Sequence, residues 1–370
     1  METIFKINSL LAAVIVSSVI FATSSCGVAE QEAEFYTLQN NNNMSVKVTD
    51  FGARIVSICV PSADGSIKDV VWGYDTVEEY FNSTDKYCGP IVGRFGNRIG
   101  KGKFSIDSTE YTLTINDGEN HLHGGTGGFS TKIWQANVLG PGQVEMSYLS
   151  KDGEEGYPGN LKVSVTYTLT DDNSLKISYK ATTDAPTIVN LTSHAYFNLH
   201  GTSRSSTNSH ILTINADNYT PTDKGLIPTG EIASVEGTPL DFRTPTAIGE
   251  RINTTDFEPI SFAGGYDHNW VLNRDGLGNG DIAPAAEVYE PATGIVMRVL
   301  TDQPGLQFYS GNFMDGKDKG RNGDVHNYRT GIALEAQNFP DAPNHGNFPS
   351  AVLLPGEEYI HNTIYSFSIR

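Results

Sequence analysis

The chain has 370 residues, 38% hydrophobic and 18% charged, a composition that builds a packed core rather than a disordered chain. A formal net charge of −18 argues against a protein that tracks a nucleic-acid backbone, where phosphates must be neutralised by Lys and Arg. The length suits one large all-β domain or two ordinary ones.

The N-terminus reads as a targeting segment. Lys6 precedes an apolar run from Leu10 to Ala22, and Thr-Ser-Ser-Cys-Gly follows at 23–27. That run is shorter than the ~20 residues of a membrane-spanning helix and fits the apolar region of a secretory signal. The stretch ending at Cys26 resembles a bacterial lipoprotein box, with Thr23 where an aliphatic residue is usual; the other reading is an ordinary signal peptide cut elsewhere. The expected organisation is a leader over 1–25, a tether over 26–32 and one domain over 33–370. The domain would be exported and held by lipid on Cys26, facing the periplasm or exterior of a bacterium. Cys59 and Cys88 remain; in an oxidising compartment they could pair. No CxxC or Cys/His zinc spacing occurs.

Next in the chain, DTVEEYF (75–81) is the one helical hint, an Asp or Thr cap ahead of two Glu. Period-two alternation then dominates. Tyr111, Leu113 and Ile115 alternate with polar residues, as do Val144, Met146 and Tyr148. Leu161 to Leu169 makes a long strand, and Leu175, Ile177 and Tyr179 follow the turn at Asp171-Asp172-Asn173. Asn190, Thr192, His194, Tyr196 and Asn198 would share one strand face. Ile295, Met297 and Val299 alternate, then Ile332, Leu334 and Ala336, and finally Tyr359 to Ile369. Gly, Asn and Asp separate these runs. Such alternation predicts antiparallel sheets packed face to face: an all-β fold, a large antiparallel β-sandwich.

Several segments carry polar groups that a sandwich does not need. GRFGNRIGKG (93–102) holds Arg94, Asn97 and Arg98; it lacks the Gly-Lys-Ser/Thr ending of a phosphate loop, and a plain strand-turn with surface arginines explains it as well. NHLHGG (120–125) holds His121 and His123, which in an extended segment face one side; no Glu follows to complete a metal set. Asp267 and His268 follow two glycines, Gln307 breaks an apolar strand, and Glu335 sits in the middle of another. An ionised Glu there is costly unless it is paired or used. Together these groups suit a polyhydroxylated ligand: carboxylates accept hydroxyl protons, Arg and Asn donate, an aromatic such as Trp270 or Tyr196 stacks, and a His with a Glu moves protons.

At these residues the chain resembles the aldose 1-epimerase family, also called galactose mutarotases. The stretches are GRFGNRIGKG, NHLHGG, NLTSHAYFNL, IPTGEI, GTPLDFR, GGYDHNWVL, QPGLQFYSGN, GIALEAQNFPDAPNH and LLPGEEY, in family order across about residues 93 to 359. The resemblance implies the supersandwich fold and interconversion of the α and β anomers of free aldoses such as galactose and glucose; no cofactor is needed, since no electrons or groups leave, no metal is expected, and a monomer or weak dimer is expected. It implies Glu335 as general base and His194 as general acid. It also implies substrate contacts from Asn97, Arg98, His123, Tyr196, Asp267 and Gln307. A sugar-binding lipoprotein without turnover is an alternative, as is a hexose-6-phosphate mutarotase, which would draw on Arg94 as its spare cation. A glycosidase using Asp267 and Glu335 is more distant.

Overall fold

The structure is a computed structural model that describes residues 17–18, 33–201, 205–278 and 280–370. Cys26 and nearly all of the expected leader and tether lie outside the described residues. Among the described residues no helix is long and apolar enough to cross a membrane.

Alternating sequence gives each strand one face to bury, and three antiparallel sheets bury them together. The largest has nine strands in the order Gln135–Gly140, Gln143–Ser150, Leu161–Leu169, Ser174–Thr183, Tyr359–Ile369, Ile295–Thr301, Ala283–Glu290, Ile211–Ile214 and Thr246–Ala247. The last strand of the chain therefore lies mid-sheet, between Ser174–Thr183 and Ile295–Thr301. A six-stranded sheet runs Tyr196–Phe197, Ile332–Gln337, Gly305–Tyr309, Asp267–Val271, Asn218–Thr220 and Ala233–Ser234. Glu34–Gln39, Ser45–Thr49, Arg54–Pro61 and Ile67–Asp69 supply most of the third.

One core cluster joins all three: Val165, Tyr167 and Ile177 from the first, Trp270, Leu306, Phe308 and Leu334 from the second, Leu38, Val48 and Ile55 from the third. Each such side chain contributes about 1.5–3 kcal/mol on burial. Tyr365 bridges two sheets, its ring 4.9 Å from Phe197 and its hydroxyl donating to the Leu334 carbonyl at 3.0 Å. The predicted helix forms at Val77–Asn82, where Thr76 and Glu79 make a reciprocal capping box.

Two expectations about strands need correction, and one about cysteines. The alternation through Ile115 ends early: the strand stops at Thr112, and Ile115 is 44% exposed. The stretch 190–199 is not one strand. Thr192–Ser193 pairs with Ile91–Val92, while Tyr196–Phe197 pairs with Ile332–Ala333. Asn190 donates its amide to the Gly96 and Asn338 carbonyls, and Asn198 to those of Ser205 and Thr330. Those amides satisfy buried loop carbonyls, and of the expected polar face only His194 and Tyr196 reach the cavity described below. Cys59 and Cys88 are both free thiols.

Candidate active site

The six-stranded sheet turns Ile332, Leu334 and Ala336 to the core and Ala333, Glu335 and Gln337 to the opposite face, which is covered as well: all six residues are buried. Register sets Glu335 opposite Gln307, and Gln307 opposite Asn269. Asp267, two residues before Asn269, shares that face. Gln307 links the strands by donating Nε2 to Asp267 Oδ1 at 2.7 Å.

Two loops close over this face. Asn97 takes a left-handed φ of 65° and locks onto His123, its N–H donating to His123 Nδ1 at 3.1 Å while its carbonyl accepts the His123 N–H at 3.1 Å. Nδ1 is therefore the acceptor, so neutral His123 carries its proton on Nε2. The expectation that His121 and His123 face one side fails because His123 itself has φ 53°. His121 points elsewhere, bonding the Thr114 carbonyl at 2.6 Å and the Tyr157 hydroxyl at 2.7 Å. Gly124, at φ 86°, lets the next turn press on the Gly93 carbonyl, where a Cβ would collide. Arg98 donates Nε to Asp117 at 2.8 Å and brings NH1 to 3.6 Å from Asp267. Burial opposes its charge, but the two carboxylates more than offset that, and its pKa is raised.

The centre of the site is a pair of groups from distant strands. His194 Nε2 lies 3.6 Å from Glu335 Oε1, with both side chains buried. They open into a cavity of about 380 Å³ lined also by Asn97, Arg98, His123, Tyr196, Asp267 and Tyr309. Among the described residues Glu335 Oε2 has no hydrogen-bond partner. Burial pushes Glu335 well above the usual carboxylate range; Asp267 adds to the rise and Arg98 opposes it. Burial also lowers His194 to about 4, although Asp267 favours its charge, and pushes His123 down, helped by His194 and Arg98. Asp267 therefore does not keep His194 charged: removal from water outweighs it. Burial thus pushes both members of the Glu335–His194 pair toward their neutral forms.

His123, His194 and Glu335 each offer one ligand atom within 4.8 Å of the others, as do His200, His210 and Glu290 elsewhere. Hydrogen bonding argues against a metal at either. A neutral imidazole that ligates through one nitrogen carries its proton on the other. In His123 the other nitrogen, Nδ1, already faces the Asn97 N–H. In His210, Nε2 accepts the Leu199 N–H at 2.9 Å, which leaves the proton on Nδ1, 2.9 Å from Glu290.

Other expected groups are structural. Arg94 is caged, donating to the carbonyls of Ser150, Lys151, Pro158 and Gly159 and to the Ser150 and Thr187 hydroxyls. It is not a spare cation for a phosphate. Trp270 lies in the core with Nε1 bonded to the Leu240 carbonyl at 3.0 Å, so it cannot stack on a ligand. His268 is fully buried, its Nδ1 accepting the Asp267 N–H. Conversely, the cavity is also lined by Asp85, Tyr87, Tyr309, Phe313, Asp318 and His326. Most of these lie in irregular loops, where no periodicity marks which side chains turn inward; only Tyr309, at the end of the Gln307 strand, stood on a legible face.

Residues 34–366 match the Aldose 1-epimerase family. Galactose mutarotase of Homo sapiens is 45% identical over 326 residues, covering 88% of this chain and 92% of that protein. Aldose 1-epimerase of Escherichia coli (strain K12) is 39% identical over 339 residues, covering 91% and 96%. Among solved structures, a GalM/aldose epimerase homologue from C. elegans aligns with a TM-score of 0.83 at 30% identity, covering 91% of this chain and 99% of that one. Since the match runs through every strand that carries the cavity, the chain belongs to the aldose 1-epimerase family.

Proposed function

We propose that the protein interconverts the α and β anomers of free aldoses, with galactose and glucose as the first candidates. The observation that carries this reading is the Glu335–His194 pair, 3.6 Å apart and buried at the cavity floor. A cyclic aldose opens when the anomeric hydroxyl loses a proton and the ring oxygen gains one. Those two oxygens share a single carbon, so the acid and base that serve them must stand side by side. Glu335 takes the proton from O1 as the C1=O bond forms and C1–O5 breaks, and His194 gives a proton to O5. Rotation about C1–C2 turns the other aldehyde face, and the same two groups act in reverse. His123 offers an Nε2–H donor, and Asp267, fixed by Gln307 and Arg98, accepts sugar hydroxyl protons. The proton count of the pair is the same before and after each turnover.

The caged Arg94 counts against a phosphosugar substrate. The experiment is polarimetry on freshly dissolved α-galactose and α-glucose, with the protein first dialysed against EDTA. Turnover above the spontaneous rate, unchanged by the chelator, is expected. Absent turnover on every free aldose would leave only a sugar-binding role, and activity lost to EDTA and restored by a divalent metal would overturn the acid/base assignment. We further propose that Cys26 is lipidated and tethers the domain outside the cytoplasm, on the strength of the apolar run at 10–22 and the small residues before the cysteine. Mass spectrometry of the mature N-terminus should find a lipid-modified Cys26; an unmodified N-terminus cut elsewhere would remove the anchor.

A further inference from the structure

We propose that Tyr87 is a positioning residue whose ring roofs the two active-site imidazoles, keeping His123 and His194 packed against each other and shielded from water. This rests on the acid/base reading of His194. Tyr87 is half-buried and lines the cavity. Its ring centroid is 4.6 Å from that of His123 and 5.9 Å from that of His194, and the two imidazoles meet edge to face at 5.1 Å. One aromatic ring thus touches both members of a pair brought together from separate segments.

Tyr87 is itself held in place. Its N–H donates to Asp85 Oδ1 at 2.8 Å, and its hydroxyl accepts the Asn116 amide at 3.3 Å. The preceding turn is latched to the opposite wall of the cavity. The Asp318 carboxylate accepts the Thr84 N–H at 3.0 Å, the Thr84 hydroxyl at 2.6 Å, the Asp85 N–H at 3.1 Å and the Ser83 hydroxyl at 3.1 Å. Four bonds to one carboxylate are more than a surface turn needs to exist. They fix the height of the turn, and with it the height of the Tyr87 ring.

The groups that face His194 are Glu335 and Asp267 from the six-stranded sheet, His123 and Arg98 from the covering loops, Tyr196 from its own segment, Tyr87 from the latched turn and Arg54 behind it. Burial is the largest influence and lowers the ring's pKa; backbone hydrogen bonds from the His194 and Tyr87 main chain and the charge of Asp267 favour imidazolium, and Arg54 opposes it. Taking the Tyr87 ring away admits water to both imidazoles and leaves every one of those charges where it was. His194 should then titrate nearer its ordinary value, and its aim at the ring oxygen should loosen.

The test compares Y87L with Y87F. Y87L is expected to lower kcat on the order of tenfold, since small misplacements of a catalytic group are expensive, with KM changed about twofold or less. The acid limb of its pH–rate profile should move upward, and NMR titration of the His194 imidazole should show the same upward move. Y87F keeps the ring and should retain kcat within about threefold, with the wild-type acid limb. A Y87L protein with unchanged kcat and acid limb but raised KM would overturn the proposal, because Tyr87 would then only touch the sugar. So would Y87F as impaired as Y87L, since the hydroxyl and not the ring would matter. Should Y87L not fold, D318A releases the latch without altering Tyr87 and must move the acid limb the same way; a limb that stays put overturns the proposal. The NMR readout does not depend on turnover, so it stands whichever aldose is the substrate.

Discussion

Glu335→Gln is expected to cost about 10²- to 10⁴-fold in kcat, the usual contribution of a positioned base, while making the folded protein more resistant to heat at neutral pH. The first effect follows from the chemistry: an amide is nearly the same shape but cannot take the proton from O1. The second follows from the environment. Glu335 is 2% exposed, its Oε2 has no hydrogen-bond partner among the described residues, and burial raises its pKa well above the ordinary value. A carboxyl whose folded pKa exceeds its unfolded one loses stability as pH rises between the two values, because the unfolded chain ionises freely and the folded one cannot. At neutral pH the wild type bears that cost and a neutral Gln does not. Below the unfolded value of about 4.3 both states hold the proton and the difference disappears. The thermal midpoint of the variant should therefore exceed that of the wild type near pH 7, with the gap narrowing toward pH 4. A folded variant with wild-type turnover would end the assignment of Glu335 as base. A variant that melts lower than wild type at pH 7 would show that the carboxylate is welcomed by its surroundings instead of tolerated for function.

This opposition between stability and use is also what made Glu335 legible from sequence. A charged residue in the middle of an otherwise apolar strand, Ile332–Gln337, breaks the local rule, and such breaks mark working groups. The sheet-forming alternation was equally legible, since Leu161 to Leu169 and His361 to Phe367 bury every second residue over long runs. Alternation misleads where both faces are covered. At 190–199 the pattern suggests one polar face, yet His194 and Tyr196 serve the cavity while Asn190 and Asn198 satisfy loop carbonyls, and nothing in the sequence separates the two uses. His121 and His123 diverge because His123 adopts a left-handed φ that its sequence does not announce. Tyr87, Asp85 and Asp318 escape notice for a further reason: their roles come from contact between loops some 230 residues apart in sequence, a distance at which no local pattern can speak.

The pH dependence follows from treating Glu335 and His194 as one titrating unit, as their 3.6 Å separation requires. The working form carries one proton. In the free enzyme burial favours placing it on the carboxyl, leaving a neutral imidazole. A bound sugar should change that balance by presenting hydroxyl hydrogens to Oε2, and Arg98 favours the carboxylate, whereas Asp267 favours imidazolium but opposes the carboxylate. Below the lower apparent pKa the unit holds two protons and Glu335 can accept none, so the rate falls as pH falls. Above the upper one it holds none and nothing remains to protonate O5, so the rate falls as pH rises. With His194 lowered to about 4, the acid limb of kcat/KM should lie near that value and well under the ordinary imidazole value of about 6.5. The alkaline limb should lie above the ordinary range of a carboxylic acid. His194→Gln should lower kcat by about 10²- to 10⁴-fold and change the shape of what remains, because only the base still titrates: residual activity should rise with pH and reach a plateau without an alkaline decline. The measurement is initial rate against pH with the spontaneous reaction subtracted at each point. A wild-type acid limb at about 6.5 would mean that His194 titrates as a solvated ring, and the sharing of one proton within a dry pair would have to be abandoned.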